Sequence, residues 1–216
     1  MDFWNAPLTD AHHALHACQA ALAMQEALGQ LNRQLAAECE TGMGNVPHLE
    51  IGIGINSGLC VVGNMGSEQH FDYSVLGDAV NLASRLEGQC PAYGAKIILG
   101  QATAAALNGS VLCAEFDIIR VKGKREPQRI FAALGPAERA AETETKAALA
   151  AIDAAVAAYR RQDWGCALQA LAAAEGCRLA LFDLAVFVGL YRRRIEDLRA
   201  HPTLAGWDGV SVTTSK

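Results

Sequence analysis

The run Leu49-Glu50-Ile51-Gly52-Ile53-Gly54-Ile55-Asn56 constrains the fold of this 216-residue chain more than any other segment. Isoleucine recurs at 51, 53 and 55, and glycine stands at 52 and 54. Successive side chains of a strand point to opposite faces, so one face is aliphatic and the other bare. Glycine weakens a strand and is found where another backbone comes close. The segment therefore reads as a half-buried strand with something packed tightly against its glycine side.

Local signals supply the other elements. Residues 3–8 (F-W-N-A-P-L) are apolar and contain Pro7, which suits the end of a strand. Thr9 and Asp10 are helix-start residues, and Leu15, Cys18, Leu22, Gln25, Leu28 and Leu35 predict an amphipathic helix over 11–39. Ser57-Gly58 turns the chain into a second strand, 59–62. Residues 63–69, with Gly63, Asn64 and Gly66, read as a loop, and 71–76 as a short extended segment. Gly77-Asp78 opens a helix that runs to about Gln89 and is ended by Pro91 and Gly94. A strand over 96–99, a helix over 101–107 and strands over 116–121 and 129–134 follow, the last pair joined by a turn over 122–127.

Composition shifts at Gly135-Pro136. Residues 137–198 are rich in Ala, Leu and Arg with helical periodicity, punctuated by Asp163-Trp164-Gly165 and Glu175-Gly176 into about three helices. Residues 201–216 read as loop. Strands mixed with helices come first and helices alone come later. That order implies an α+β domain over 1–135 and an all-α tail over 136–216. Within the tail, Ala157-Ala158-Tyr159, Asp163-Trp164 and Ala167 weakly resemble a tetratricopeptide-type hairpin. A plain helical extension packed on the first domain is an equal alternative.

With 51% hydrophobic and 19% charged residues the chain can bury a core, and 18 Lys plus Arg against 23 Asp plus Glu argue against a general nucleic-acid binder. A few placed cations can still hold a triphosphate. The seven cysteines are scattered without a C-x-x-C pair, which reads as reduced thiols and not as a disulfide framework or a zinc site. The longest apolar run, near 180–190, is interrupted by Asp183 and falls short of the ~20 apolar residues a bilayer requires. His12 and His16 share a helix face, but with no third ligand a solvated helix start is the simpler reading.

The most informative run is Tyr73-Ser74-Val75-Leu76-Gly77-Asp78-Ala79-Val80-Asn81-Leu82-Ala83-Ser84-Arg85-Leu86-Glu87. Asn81 and Arg85 are four apart and share one helical face. An amide beside a guanidinium can grip ribose and phosphate, since the planar fork of arginine clamps phosphoryl oxygens. From spacing alone, a surface helix with Asp78 as its cap and a routine arginine is the commoner reading.

This run resembles the class III adenylate/guanylate cyclase signature, G-D-x-V-N-x-A-S-R-L/M after a strand end. Upstream, I-G-I-N-S-G (53–58) and V-V-G-N-M-G-S (61–67) resemble that family's β-hairpin, and V-K-G-K (121–124) resembles its phosphate-side turn. The resemblance covers about residues 1–134. It implies a ferredoxin-like α+β core and a homodimeric adenylate cyclase that forms cyclic AMP and pyrophosphate from ATP. It further implies that Asn81 orients the ribose, Arg85 stabilises charge at the α-phosphoryl, Ser74 reads the purine and Lys122 holds the terminal phosphates, with Lys124 as a second candidate. The hydroxyl of Ser74 favours adenine. Asp78 is better read as a cap or loop-shaping residue than as a base. A short likeness of W-D-G-V (207–210) to the C-terminus of bacterial membrane-tethered cyclases implies a cytoplasmic domain of a membrane-anchored protein.

The resemblance also implies Mg²⁺ or Mn²⁺ in the complete enzyme, held by two aspartates in segments that would lie before Met1. No residue of this chain is assigned to the metal, and Asp2 does not match either position. The expectation is an N-terminally truncated core, inactive alone. The alternative is a non-catalytic remnant that serves as a dimerisation or regulatory module. Because two-metal chemistry needs both carboxylates, the isolated chain is expected to make no cyclic nucleotide from ATP and Mn²⁺. Robust cyclic AMP production in that assay would overturn the expectation.

Overall fold

The structure is a computed structural model that describes residues 1–40, 48–67, 70–121, 126–201, 207 and 209–213. Helix α1 spans His13–Glu40, followed by strand β1 Ile53–Ile55, the hairpin β2 Val61–Ser67 and β3 His70–Leu76, and helix α2 Asp78–Tyr93. Strand β4 Ile97–Gly100, helix α3 Gln101–Ala106 and strands β5 Val111–Val121 and β6 Gln128–Pro136 complete the first part. A short 3-10 turn, Ala137–Ala141, leads to helices α4 Thr143–Arg160, α5 Trp164–Glu175 and α6 Leu184–Ala200, then to strand β7 Ser211–Thr213.

The main sheet has the order β1-β4-β6-β5-β7; β1 pairs parallel with β4, and β7 pairs parallel with β5. The expected α+β class is observed. Strand alternation divides the core into two faces. Ile97, Leu99 and Ala133 pack with Ala14, Cys18 and Ala21 of α1 and with Ile53 and Ile55. Ile98, Ala132 and Leu134 face the other way, onto α2 and the helices α4 to α6. That second cluster extends from Leu82 to Ile195, so residues before and after Gly135 share one buried interior.

The bare face of β1 is filled by α2. A Cβ on Gly54 would stand 2.1 Å from the carbonyl oxygen of Ala83 and 2.4 Å from the amide nitrogen of Glu87, and one on Gly52 would stand 2.8 Å from Cβ of Cys90. The strand thus presents backbone to backbone, as its Ile/Gly alternation predicts.

Four local readings are corrected. Residues 3–8 form no strand, with bends at 5–8, because Asn5 takes the left-handed conformation (φ 69) and its side chain accepts the amide of Asp10 at 2.7 Å. The described part of 63–69 is strand, not loop: Gly63 pairs with Ser74 and Gly66 with Phe71, so cross-strand pairing overrides turn-like composition. Helix α2 continues through Pro91 to Tyr93, whose ring is buried, and stops at Gly94 (φ 73). Residues 211–213, expected as loop, pair with Ile119, Arg120 and Val121 at an otherwise open strand edge.

Strand β5 carries a bulge where the later helices dock. Glu115 pairs with Phe131 and Asp117 with Ile130, which leaves Phe116 without a partner across the ladder. The Phe116 carbonyl instead accepts the Tyr191 hydroxyl at 2.5 Å. Glu115 takes Arg160 of α4 and Arg129 of β6, and Asp117 takes Arg194 of α6. Burial opposes ionisation of Glu115, but hydrogen bonds from Arg129 and Arg160 hold its carboxyl below the ordinary range.

Gly54→Ala is expected to push α2 off β1, since backbone and not a flexible side chain occupies the space. Overpacking of this kind costs about 1–3 kcal/mol. The check is the urea midpoint of unfolding; an unchanged midpoint would remove the glycine seat as a constraint.

Candidate functional site

Helix α2 is positioned at its start by small residues and one amide. Gly77 (φ 158) links β3 to α2, and a side chain there would meet Leu59 O at 3.0 Å. A Cβ on Gly58 would stand 2.7 Å from Cβ of Ala79, so the connection after β1 lies directly on the first turn. The Asn56 side chain donates to Ala79 O at 3.1 Å and ties the end of β1 to the same turn.

The amides of Val80 and Asn81 both reach Gly77 O, at 3.1 and 3.2 Å, and no side chain caps the helix. Asp78 is therefore not the cap that the motif suggests; it is the first helical residue, where an acidic group suits the positive end of the helix dipole. The buried side of α2 consists of Ala79, Leu82, Leu86, Cys90 and Tyr93. Burial pushes the Cys90 thiol up to about 11, which leaves it a packing group and not a nucleophile.

Asn81 and Arg85 lie on the exposed side of α2, one turn apart, and neither side chain has a hydrogen bond among the described residues. Ser74 is half-buried on β3 opposite Gly63, three residues before Gly77. The fold thus strings Ser74, Asn81 and Arg85 along one strand–helix unit. Lys122 and Lys124 lie outside the described residues. His16 Nδ1 and Asp10 Oδ2 pair at 2.8 Å, and Asp10 also accepts the amide of His12 at 2.9 Å, so these groups serve the start of α1.

Among the described residues, no group of three or more His, Cys, Asp or Glu side chains could hold a metal ion. The described residues therefore do not fit the divalent ion that the family resemblance implies. Also among the described residues, no helix is long and apolar enough to cross a membrane.

Sequence reasoning did not anticipate the apolar surface beside this unit. Leu59 is 99% exposed, Val61 70% and Leu76 60%, and Val61 and Leu76 are cross-strand partners in the hairpin. The β-branched and aliphatic character of these positions was visible in the sequence, but it predicts burial, and only the fold leaves them outside.

A model of the adenylate and guanylate cyclase catalytic domain matches residues 4–133. Among similar proteins, Adenylate cyclase 1 of Rhizobium meliloti is 34% identical over 141 residues, which are 65% of this chain and 20% of that protein. An adenylate cyclase of Anabaena cylindrica is 37% identical over 125 residues, 55% of this chain and 23% of that protein. The chain therefore spans about a fifth of the length of these curated relatives. Among solved structures, the adenylyl cyclase CyaB from P. aeruginosa is 34% identical with a TM-score of 0.52, covering 59% of this chain and 63% of that one. The guanylyl cyclase Cya2 is also 34% identical, with a TM-score of 0.53 over 61% of this chain and 62% of that one. With more than half of its residues under the family model, this chain belongs to the adenylate and guanylate cyclase catalytic-domain family, class III.

Proposed function

We propose that this chain contributes the nucleotide-gripping half of an adenylate cyclase site, with ATP as substrate and a second cyclase domain as partner. The observation that carries the reading is the outward pair Asn81 and Arg85, exposed and without side-chain hydrogen bonds among the described residues, on a helix otherwise anchored along its length. In the reaction, the ribose 3′-oxygen forms a bond to the α-phosphorus and the bond to pyrophosphate breaks. Asn81 orients the ribose. Arg85 donates to the α-phosphoryl oxygens as their charge grows, which is the dominant means of accelerating phosphoryl transfer. Ser74 offers its hydroxyl to the purine edge, and the names of the adenylate cyclases among the relatives support adenine. Lys122 takes the terminal phosphates.

A cyclase-domain partner is supported by the exposed Leu59, Val61 and Leu76 beside this unit. Such side chains are commonly covered by a protein. The partner, or a longer form of this protein, supplies the Mg²⁺- or Mn²⁺-binding carboxylates, which brings the complete site together between two domains. The same surface favours the second reading, a dimerisation or regulatory module that binds a cyclase domain without contributing to chemistry. A cytoplasmic setting follows from the intracellular nucleotide.

The experiment mixes this chain with a full-length class III cyclase whose own Asn/Arg helix is disabled, and measures cyclic AMP. Activity above that of the disabled enzyme is expected. Demonstrated association without gain would refute the shared-site role and leave the regulatory reading.

In the same assembly, Arg85→Ala is expected to lower kcat by about 10²–10³ while KM changes little, the pattern for a contact made in the transition state. Because Arg85 is exposed and makes no side-chain hydrogen bond among the described residues, the variant should shift stability by no more than about 0.5 kcal/mol. A rise in KM at constant kcat would reassign Arg85 to ground-state binding.

A further inference from the structure

We propose that Arg194, in the third helix of the C-terminal segment, is a positioning residue that acts through Tyr93 to set the orientation of α2 and so of Asn81 and Arg85. For its catalytic consequence, the inference rests on the cyclase reading above. Its structural content does not.

The buried Tyr93 and Asp117 meet the half-buried Arg194 at the far end of α2. The Tyr93 hydroxyl donates to Asp117 Oδ2 at 2.5 Å. Arg194 donates through Nη1 to the same carboxylate oxygen at 2.7 Å and through Nη2 to the Tyr93 oxygen at 2.9 Å. The second oxygen of Asp117 accepts the amide of Ile118 at 2.7 Å. The guanidinium also lies over the rings of Tyr93 and Tyr191, at 5.4 and 5.3 Å. One planar fork thus bridges α2 and β5 from α6. The chain just past α2 is held by the same helix: the amide of Asp183 donates to Gly94 O at 2.7 Å, and a side chain on Gly94 would meet Asp183 O at 2.7 Å and Val186 Cβ at 2.8 Å.

The reason α2 needs such a device lies in its seat. Against β1 itself, Gly52 and Gly54 give the helix a close contact with no side-chain ridge, and Leu82 and Leu86 hold it by burial, which is not directional. The directional bonds that fix its roll lie at the two ends, from Asn56 to Ala79 O at the first turn and in the Tyr93 cluster at the last. With side chains a helix is about 5–6 Å in radius, so a roll of about 10° moves a side-chain tip by about 1 Å. Misplacement of about 1 Å can cost about 10²-fold in rate. A buried ion pair is weak evidence for stability, since an apolar replacement often serves as well. Its directional hydrogen bonds do fix an angle. Lysine could not reproduce them, because a single ammonium lacks the two parallel donors that reach Asp117 and Tyr93.

The test uses the full chain with Arg194→Met, Arg194→Lys, Tyr93→Phe and, as a control, Leu171→Ala, which opens a cavity under α5 away from α2. Hydrogen exchange is read along α2 and α5, and kcat and KM for ATP are read in the mixed assembly. For Arg194→Met, exchange over 78–87 is expected to rise about tenfold with α5 unchanged. In the assembly, kcat should fall about tenfold at constant KM. Tyr93→Phe, which deletes one oxygen, should move both readouts in the same direction, and Arg194→Lys should not restore them. Leu171→Ala should raise exchange in α5 and leave 78–87 protected. Unchanged protection over 78–87 in both Arg194→Met and Tyr93→Phe would overturn the proposal, as would a rise no greater than the control shows. If Arg194→Met does not fold, Tyr93→Phe decides. If the unaltered chain gives no cyclic AMP in the assembly, the cyclase reading fails, and exchange alone decides the positioning role.

Discussion

Backbone-to-backbone packing of α2 on the glycine face of β1 is the contact on which the other arrangements depend. With Gly54 beneath Ala83 and Glu87, the helix axis comes close enough to the sheet for Leu82, Leu86 and Tyr93 to enter one buried cluster with Ile98, Phe116 and Ile130. The opposite face of the same strand gives Ile53 and Ile55 to the cluster under α1. Three residues of strand thus join both layers of the core, and a side chain at Gly54, or at Gly52 just before the strand, would part them. The outward direction of Asn81 and Arg85 follows, because a helix held along one side can present groups only on the other.

The second constraint is the bulge in β5. An unpaired backbone carbonyl in an interior is costly unless a donor reaches it. The Tyr191 hydroxyl answers Phe116, and the flanking Glu115 and Asp117 draw Arg160 and Arg194. Asp117 is the buried member, and removing Arg194 would leave its carboxylate without a cation, commonly a loss of about 3–5 kcal/mol. Helices α4 and α6 are therefore joined to the sheet by directional bonds as well as by burial of Ile152, Val156, Phe187 and Ile195. The chain then returns to the same strand as β7. Tyr93 is buried on one side of this junction and Asn81 and Arg85 are exposed on α2 beyond it, which links the C-terminal helices to the candidate site through a single rigid element.

Much of this was legible in the residues. The Ile/Gly alternation at 51–55 announced a strand with a close neighbour, and the periodic stretches after 137 announced helices, because both depend on local spacing. The hairpin is longer than the sequence suggests, since Gly63, Asn64 and Gly66 look like turn residues and pair only because β3 lies opposite. The strand at 211–213 is not legible for a similar reason: three residues carry little pattern, and the partner edge is some ninety positions earlier in the chain. Pro91 looks like a stop, although α2 continues past it to the anchored Tyr93. The candidate site stands out as a motif, while the lack of side-chain hydrogen bonds on Asn81 and Arg85 among the described residues emerges only from the fold.

By itself, then, the sequence determined most of the elements and their order, and it singled out Asn81 and Arg85 as candidate nucleotide contacts. These are set by short-range periodicity, by turn chemistry and by a motif contained in one strand and one helix. Tertiary structure decided which faces are buried, that the helices after Gly135 share the interior of the sheet, and that Arg194 stands beside Tyr93 a hundred and one positions away. A planar guanidinium, a carboxylate and a phenol from three distant elements can be brought together in many ways that the sequence permits. Only the simultaneous filling of one core selects the arrangement in which each has its partner, because burying any of them alone would cost more than the contact returns.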